Sequence, residues 1–398
     1  MTQNPQFKTT SIVPAKRMDQ LPDYLFGKLN EEKQRRRREG IDVIDFGMGN
    51  PDMPASREAV EKIHQVIEDD KAHRYPNPAG IPNLLKAVAD HYDEFYGVDL
   101  NYDQEVVATI GSKEGLSHLA LAMLGPGDRC VVPAPFFPIH KWCAVIAGAE
   151  IQHLPVTDNA ERMIDYMEKL DRTPKLIFLN FPHNPTSTTV DLDFFKTFVP
   201  YCLEKNVIII HDFAYKDITF GDYKAPSILQ VEGAKEIAVE FTTMSKSYNM
   251  AGWRCGFCVG NSRMIQLLTR IKSFFDYGLF TPVQVAAIHE LRHNRDQVKE
   301  VARKYESRRK VLTEGLERYG WDIPYSRGAM YVWAHIPDRY REMGSLKFAE
   351  WLLEEAEVLV SPGIGFGPAG EGHIRMSLVE NTQRIRQAVR QIGRIIDL

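Results

Sequence analysis

The chain has few cysteines, little excess charge and no long apolar run. Five cysteines among 398 residues are too few for a disulfide framework, which favours a reducing, cytoplasmic setting. A net charge of −4 favours neither nucleic acid nor an anionic membrane as a partner. Residues 1–14 lack the apolar core of a signal peptide, and no run of about 18 apolar residues follows. We therefore expect a soluble, unprocessed protein.

The middle of the chain alternates short apolar runs with helical stretches. The predicted strands span residues 106–110, 130–132, 176–179, 207–210, 237–241 and 257–259. Most are continuously apolar, as expected of strands buried on both faces of a parallel sheet. The alternation predicts an open α/β domain that binds its ligands outside the carboxyl ends of the strands.

The pattern changes beyond about residue 282. A long charged helix is followed by a strand around Tyr331 and by a terminal helix from about Asn381. These elements predict a smaller α+β domain. We divide the chain into an N-terminal segment (1–48) that packs with the small domain, a large ligand-binding domain (49–285) and the small domain itself (286–398).

Lys246 lies among hydroxyl side chains in the run from Thr243 to Arg254, which reads Thr-Met-Ser-Lys-Ser-Tyr-Asn-Met-Ala-Gly-Trp-Arg. A lysine amine can form a Schiff base with an aldehyde. Hydroxyl groups and a guanidinium can bind a phosphate. The run therefore fits an aldehyde cofactor that carries a phosphate, although Lys246 taken alone would be a solvated lysine.

Further polar residues follow the predicted strands. Asp212 could pair with a protonated ring nitrogen and keep a pyridinium charged. Tyr215 and Asn184 could both donate hydrogen bonds to an oxygen of the same ring. Gly111 opens a helix whose backbone amides would suit a phosphate. Arg375, inside an apolar run, needs an anion, and a substrate carboxylate would serve.

Each of these residues also has a purely structural interpretation. Asp212 could cap the next helix, Asn184 could shape a turn, and Arg375 could form an internal salt bridge. Their occurrence together, in this order and at strand ends, favours one shared site.

These residues resemble the fold type I, class I/II pyridoxal-phosphate aminotransferases across nearly the whole chain. The matching motifs are Gly49-Asn50-Pro51-Asp52, Tyr75-Pro76, Asn184-Pro185-Thr186, Asp212 with Tyr215, Ser245-Lys246 with Arg254, and Arg375. The resemblance implies a large α/β domain, whose mostly parallel seven-stranded sheet is flanked by helices, and a smaller α+β domain. It also implies pyridoxal 5′-phosphate as the cofactor, a homodimer, and no metal.

The resemblance assigns a role to each matching residue. Lys246 would carry the cofactor and shuttle the proton. Asp212 would meet the pyridine nitrogen, and Tyr215 with Asn184 the phenolic oxygen. The phosphate would be surrounded by Ser112, Lys113, Thr243, Ser245, Arg254 and, from a second subunit, Tyr75.

The substrate end of the implied site involves Arg375 and Asn184, which would hold the α-carboxylate while the Gly49 loop closes over it. Phe137 falls where the family stacks an aromatic ring on the cofactor, and many members have tyrosine there. A stacked ring needs no hydroxyl, so Phe137 is compatible with catalysis.

Within the family, the longer motifs are most similar to the bacterial glutamate–pyruvate (alanine) aminotransferases. The resemblance implies transfer of an amino group between L-alanine and 2-oxoglutarate. Diaminopimelate, methionine and aromatic aminotransferases are related alternatives, as is a C–S lyase on the same fold. We find no second arginine that the sequence alone places at a distal substrate carboxylate.

Three other motifs have simpler interpretations. His289-Glu290-Leu291-Arg292-His293 matches a zinc-binding pattern, but no other metal ligands accompany it. Cys255 and Cys258 match a redox pattern, but in an apolar strand their thiols would point to opposite faces. The run Arg35 to Arg38 is typical of a solvated helix end.

Overall fold

The computed structural model describes residues 12–22 and 25–396. The α-helices are Leu25–Arg38 (α1), Arg57–Ile67 (α2), Pro82–Tyr96 (α3), Ser112–Met123 (α4), Pro138–Ala147 (α5), Ala160–Glu168 (α6), Leu192–Lys205 (α7), Ala234–Ile237 (α8), Met244–Ser247 (α9), Ser262–Phe275 (α10), Thr281–His293 (α11), Arg295–Glu317 (α12), Gly344–Glu355 (α13) and Thr382–Ile395 (α14). Among these described helices, none has the length and apolar character needed to cross a bilayer.

Within the described residues, the β-strands form three sheets. They are Ile44–Asp45 (β1), Val106–Thr109 (β2), Arg129–Ala134 (β3), Glu150–Pro155 (β4), Leu176–Asn180 (β5), Ile208–Asp212 (β6), Ala238–Thr243 (β7), Gly256–Gly260 (β8), Tyr331–His335 (β9), Val358–Leu359 (β10), Ser361–Pro362 (β11) and His373–Ser377 (β12). The largest sheet is 7-stranded, in the order β2-β8-β7-β6-β5-β3-β4. Only β8 runs antiparallel to its neighbours in this sheet, so the expected mostly parallel α/β architecture is confirmed.

The large sheet is buried on both faces, which explains its apolar strands. Along β5, Ile177 and Leu179 pack into one core, whereas Leu176 and Phe178 pack into the core on the other face. This alternation follows from the two-residue period of a strand. The edge strand β4 was not predicted, because it carries Glu150, is only partly buried and is not continuously apolar.

Several predicted boundaries differ from those in the structure, and two of the differences have a clear cause. The strand expected from residue 237 begins at Ala238, because Ile237 ends α8. The single charged helix expected after residue 282 is two helices, α11 and α12, which are separated at Asn294. The terminal helix is as predicted, and the Asn381 side chain caps it by accepting from the amides of Gln383 and Arg384.

The C-terminal elements build a second core around the antiparallel sheet β11-β12-β9. Strand β1, from the start of the chain, pairs in parallel with β10, and the Ser377 amide donates to the Phe46 carbonyl at 2.8 Å. Leu29 of α1 packs with Leu353 and Leu359. Helix α1 and strand β1 are thus built into the C-terminal unit, whereas the earlier described residues Lys16–Gln20 lie near α5 of the large sheet.

The predicted domain boundary at residue 285 lies inside α11, whose Val283, Ala287 and Leu291 pack in the core of the large sheet. The division at residue 285 and the packing of residues 1–48 with the small domain remain predictions. The predicted N-terminal segment also includes residues 1–11 and 23–24, and the predicted small domain includes 397–398. These residues lie outside the described part of the chain.

Candidate active site

A cavity of about 700 Å³ lies at the carboxyl ends of the parallel strands, between the two cores. Most of the residues that the sequence singled out line it. They are Gly49, Ser112, Lys113, Phe137, Asn184, Asp212, Tyr215, Thr243, Ser245, Lys246, Arg254 and Arg375. This position agrees with the rule that open α/β sheets bind ligands beyond their carboxyl ends.

Lys246 projects into the cavity from α9, the single turn that follows β7. Its Nζ donates a hydrogen bond to the Gly49 carbonyl at 2.7 Å. Burial lowers the pKa of the Lys246 amine, and the nearby positive charges of Arg375 and Arg254 act in the same direction. A lowered pKa favours the neutral amine, which is the form that attacks a carbonyl carbon.

Asp212 ends β6 and is nearly fully buried. Its Oδ2 lies 2.9 Å from Nε2 of the buried His140, and its backbone carbonyl accepts from Asn180 Nδ2 at 2.7 Å. Its Oδ1 also accepts from the Ala214 amide at 3.3 Å, so it shapes the local turn as well. His140 was not predicted, because no sequence signal links it to a carboxylate 72 residues away.

A chain of hydrogen bonds joins Tyr215 and Asn184, the residues predicted to contact the ring oxygen of the cofactor, to Arg375, the residue predicted to bind the substrate carboxylate. The Tyr215 hydroxyl accepts from Asn184 Nδ2 at 3.2 Å and lies 2.8 Å from the Tyr331 hydroxyl. Asn184 Oδ1 in turn accepts from Arg375 Nη1 at 2.8 Å. Burial raises the pKa of Tyr215 well above its usual value, so its hydroxyl stays a donor. Tyr331 was missed, although it lies in the predicted strand before the terminal helix.

Arg375 is held by the backbone around it. Its Nη2 donates to the Gly47 carbonyl at 2.9 Å, and its guanidinium lies over the rings of Tyr331 and Phe366, at 4.3 Å and 4.6 Å from their centroids. The guanidinium is buried and lines the cavity. Such a fixed, desolvated guanidinium is suited to a bidentate pair with a carboxylate.

The opposite end of the cavity combines a helix N-terminus with an arginine and hydroxyl groups. Gly111, at φ +73°, precedes α4, and a Cβ built there would lie 2.4 Å from Arg254 Nη2. Glycine therefore leaves the space that Arg254 occupies beside the first amides of the helix. Thr243 Oγ1 donates to Ser245 Oγ at 2.8 Å next to it. A guanidinium, hydroxyls and helix amides together fit a phosphate.

The residues present thus fit the cofactor that the resemblance implies, with a reactive amine, a buried carboxylate and a phosphate cradle. Phe137 lines the same cavity and meets His140 edge to face, with ring centroids 5.9 Å apart. Tyr75 is the one predicted site residue outside the cavity. It is 87% exposed and stacks on Tyr277 at a centroid distance of 5.3 Å.

In the zinc-like motif on α11, His289 is partly buried and His293 is exposed, with ring centroids 4.9 Å apart, whereas the glutamate between them points into the protein core. The Glu290 carboxylate is fully buried and accepts from Ser56 Oγ and Asn294 Nδ2, both at 2.5 Å. Cys255 and Cys258 pack into different cores, as expected of thiols on opposite faces. In the described residues, the acidic and histidine atoms close enough to share an ion belong to Glu114, His118 and Asp276, where Lys272 Nζ already sits 3.0 Å from Glu114 Oε1.

The sequence matches the model of the family "Aminotransferase class I and II" over residues 41–392. It is 48% identical to the glutamate-pyruvate aminotransferase AlaC of Escherichia coli, over 94% of this chain and 92% of that protein. It is 39% identical to an LL-diaminopimelate aminotransferase of Moorella thermoacetica, over 96% of this chain and 98% of that protein.

Among solved structures, substrate-bound BacF of Bacillus subtilis is similar at a TM-score of 0.91 and 33% identity, over 97% of this chain and 98% of that one. Family match, relatives and fold agree with the cavity. The chain belongs to the class I and II aminotransferases, which use pyridoxal phosphate to move amino groups between amino acids and 2-oxo acids.

Proposed function

We propose that this aminotransferase exchanges an amino group between L-alanine and 2-oxoglutarate, giving pyruvate and L-glutamate in amino-acid biosynthesis. The observation that carries the proposal is the 48% identity to a glutamate-pyruvate aminotransferase over nearly both chains. The diaminopimelate aminotransferases are similar over the same length at lower identity, 36% to 40% in the relatives compared.

The residues at the substrate end of the cavity support this proposal. Arg375 would bind the substrate α-carboxylate, and its bond to Asn184 Oδ1 at 2.8 Å would keep the guanidinium in place. Asn184 would also hold the carboxylate from the opposite side. The Gly49 carbonyl, 2.7 Å from Lys246 Nζ, places the loop that carries it directly above the reacting amine.

At the cofactor end we propose the roles that the resemblance implies. Asp212, held by His140, would sit against the ring nitrogen, and Tyr215 with Asn184 would contact the phenolic oxygen. Phe137 would stack on the ring. The phosphate would lie among Ser112, Lys113, Thr243, Ser245 and Arg254.

Lys246 would perform the proton transfer. When bound, the cofactor supplies a carbonyl carbon for the amino group and a ring that takes up the electron pair of the broken C–H bond. Lys246 Nζ, displaced by the substrate amine, would then take the α-proton as a general base. Its pKa is lowered by burial, so the free amine is available to accept that proton. The Tyr215 hydroxyl and Asp212 carboxylate would hold the ring oriented during the transfer.

We also propose a homodimer in which Tyr75 of one subunit reaches the phosphate of the other. Tyr75 contacts the ring of Tyr277, which is 55% exposed, and the nearby chain positions Phe274 and Phe275 at the end of α10 are 83% and 64% exposed. Such a patch is typical of an interface. The five cysteines are buried free thiols, which supports a reducing, cytoplasmic setting.

The proposal is tested by the visible spectrum of the cofactor-loaded enzyme as single amino acids are added. We expect L-alanine and L-glutamate each to bleach the cofactor band, and pyruvate or 2-oxoglutarate to restore it, with ping-pong kinetics. If only diaminopimelate, methionine or an aromatic amino acid bleaches the band, the alanine assignment is wrong. Release of ammonia and pyruvate from a β-substituted amino acid, without an oxo-acid acceptor, would instead indicate lyase activity.

A further inference from the structure

Two basic residues of α1 line the cavity. Lys33 and Arg37 are four residues apart on the helix and therefore lie on one face, one turn from each other. The run Arg35 to Arg38 was predicted to be a solvated helix end. Arg37 is exposed in the last turn of α1, as that prediction expects, and it also lines the cavity.

The wall formed by α1 adjoins the residue proposed to bind the α-carboxylate. Lys33 Nζ pairs with Asp45 Oδ2 at 2.7 Å, and Asp45 Oδ1 accepts from the Gly47 amide at 2.8 Å. The Gly47 carbonyl then accepts from Arg375 Nη2 at 2.9 Å. A chain of hydrogen bonds through Asp45 and Gly47 thus connects α1 to Arg375.

The acidic residues of the wall already have partners. Asp45 is paired with Lys33, and Glu380 Oε1 accepts from the Asp45 amide at 3.3 Å. Asp52 forms a two-point ion pair with Arg308, with N–O distances of 2.6 Å and 2.7 Å. These carboxylates lie along the cavity but are held to other groups.

Arg37 differs from its neighbours in this respect. Arg35 and Arg36 both pair with Glu32 on the helix surface. Arg37 Nη2 donates to the Val43 carbonyl at 3.0 Å, and among the described residues its guanidinium enters no ion pair. Arg37 is exposed and lines the open cavity, where an arginine suits a carboxylate in a two-point contact.

We infer that Arg37 binds the distal carboxylate of L-glutamate and 2-oxoglutarate. This inference rests on the proposed function, since L-alanine and pyruvate have no such group and reach only to Arg375. Lys33 is a positioning residue: its pair with Asp45 holds that carboxylate away from the incoming one. One cavity would thereby accept both the small and the five-carbon substrate.

The test is an Arg37→Gln variant, with Arg38→Gln as the matched control. Arg38 is the next residue of the same run, is exposed, and is not among the residues that line the cavity. Each loaded enzyme is mixed with L-glutamate or L-alanine, and the rate constant for bleaching is measured in a single turnover. Equilibrium binding of glutarate, a five-carbon dicarboxylate, is measured on the same enzymes.

We expect Arg37→Gln to lower the rate constant for L-glutamate relative to that for L-alanine about ten- to a hundred-fold, which is the range for a lost charge-assisted hydrogen bond. Glutarate binding should weaken by a similar factor, and Arg38→Gln should change neither quantity more than about twofold. An unchanged glutamate-to-alanine ratio or unchanged glutarate affinity in Arg37→Gln would overturn the inference. A wild-type enzyme that L-alanine does not bleach would instead refute the proposed function.

Discussion

The clearest structural test of the phosphate end is the substitution Gly111→Ala. Gly111 has φ +73°, and a Cβ there would lie 2.4 Å from Arg254 Nη2. The atom it meets is the end of a flexible side chain, so Arg254 can swing away at little cost to the fold. The guanidinium would then leave its place beside the first amides of α4.

Two separate magnitudes follow from this geometry. A residue with a Cβ at φ +73° and ψ 159°, a region essentially confined to glycine, costs about 1–3 kcal/mol, so the free energy of unfolding of the apoprotein should fall by about that amount. A lost charge-assisted hydrogen bond to phosphate costs about 1.5–3 kcal/mol. The dissociation constant for pyridoxal phosphate should therefore rise about ten- to a hundred-fold.

Gly127→Ala separates the two effects. Gly127 has φ +89°, but a Cβ there would meet nothing within 4 Å. Because its φ is also positive, the variant should lose stability in a denaturant titration while binding pyridoxal phosphate with unchanged affinity in a spectral titration. Equal dissociation constants for the two variants would refute the proposed placement of Arg254 at the phosphate.

The remaining predictions concern Asp212 and the pKa of Lys246. Asp212→Asn keeps a partner for His140 but loses the negative charge, so single-turnover transamination of L-alanine should slow about 10²–10³-fold; a change under threefold would contradict the proposed role. Burial lowers the pKa of Lys246 from 10.5, so the neutral amine persists to lower pH than in free lysine. The rate at which the apoprotein captures pyridoxal phosphate should rise with pH and level off below pH 10.5; a midpoint at or above that value would contradict it.

Much of the fold could be predicted because the buried strands of a parallel sheet are continuously apolar. Residues 176–179 were predicted as a strand for that reason, and β5 contains them. Strand β4 was not predicted, because it is an edge strand that is only partly buried. Its polar residues interrupt the continuous apolar run by which the other strands were recognised. The break between α11 and α12 at Asn294 was not predicted, because charged residues lie on both sides of it. No change in composition therefore marks the end of α11.

The site was predictable where one residue carries its own chemical signal. Lys246 between hydroxyl residues and Asp212 after a buried strand are of this kind, and both line the cavity. His140 and Arg37 gave no such signal, because what distinguishes them is a partner or a surface distant in sequence. Arg37 in particular is indistinguishable from Arg35 and Arg36 until the fold shows which face of α1 each occupies.

The central claim is that Lys246 binds the cofactor and moves the substrate proton, and the substitution Lys246→Arg tests it most directly. Arginine keeps the positive charge but offers no primary amine. Lys86→Arg, an exposed substitution on α3, is the control. We expect Lys246→Arg to lose the visible band of lysine-bound pyridoxal phosphate and to slow single-turnover transamination of L-alanine by about 10²–10⁴-fold or more, whereas Lys86→Arg keeps both. Near-normal turnover of Lys246→Arg would contradict the account.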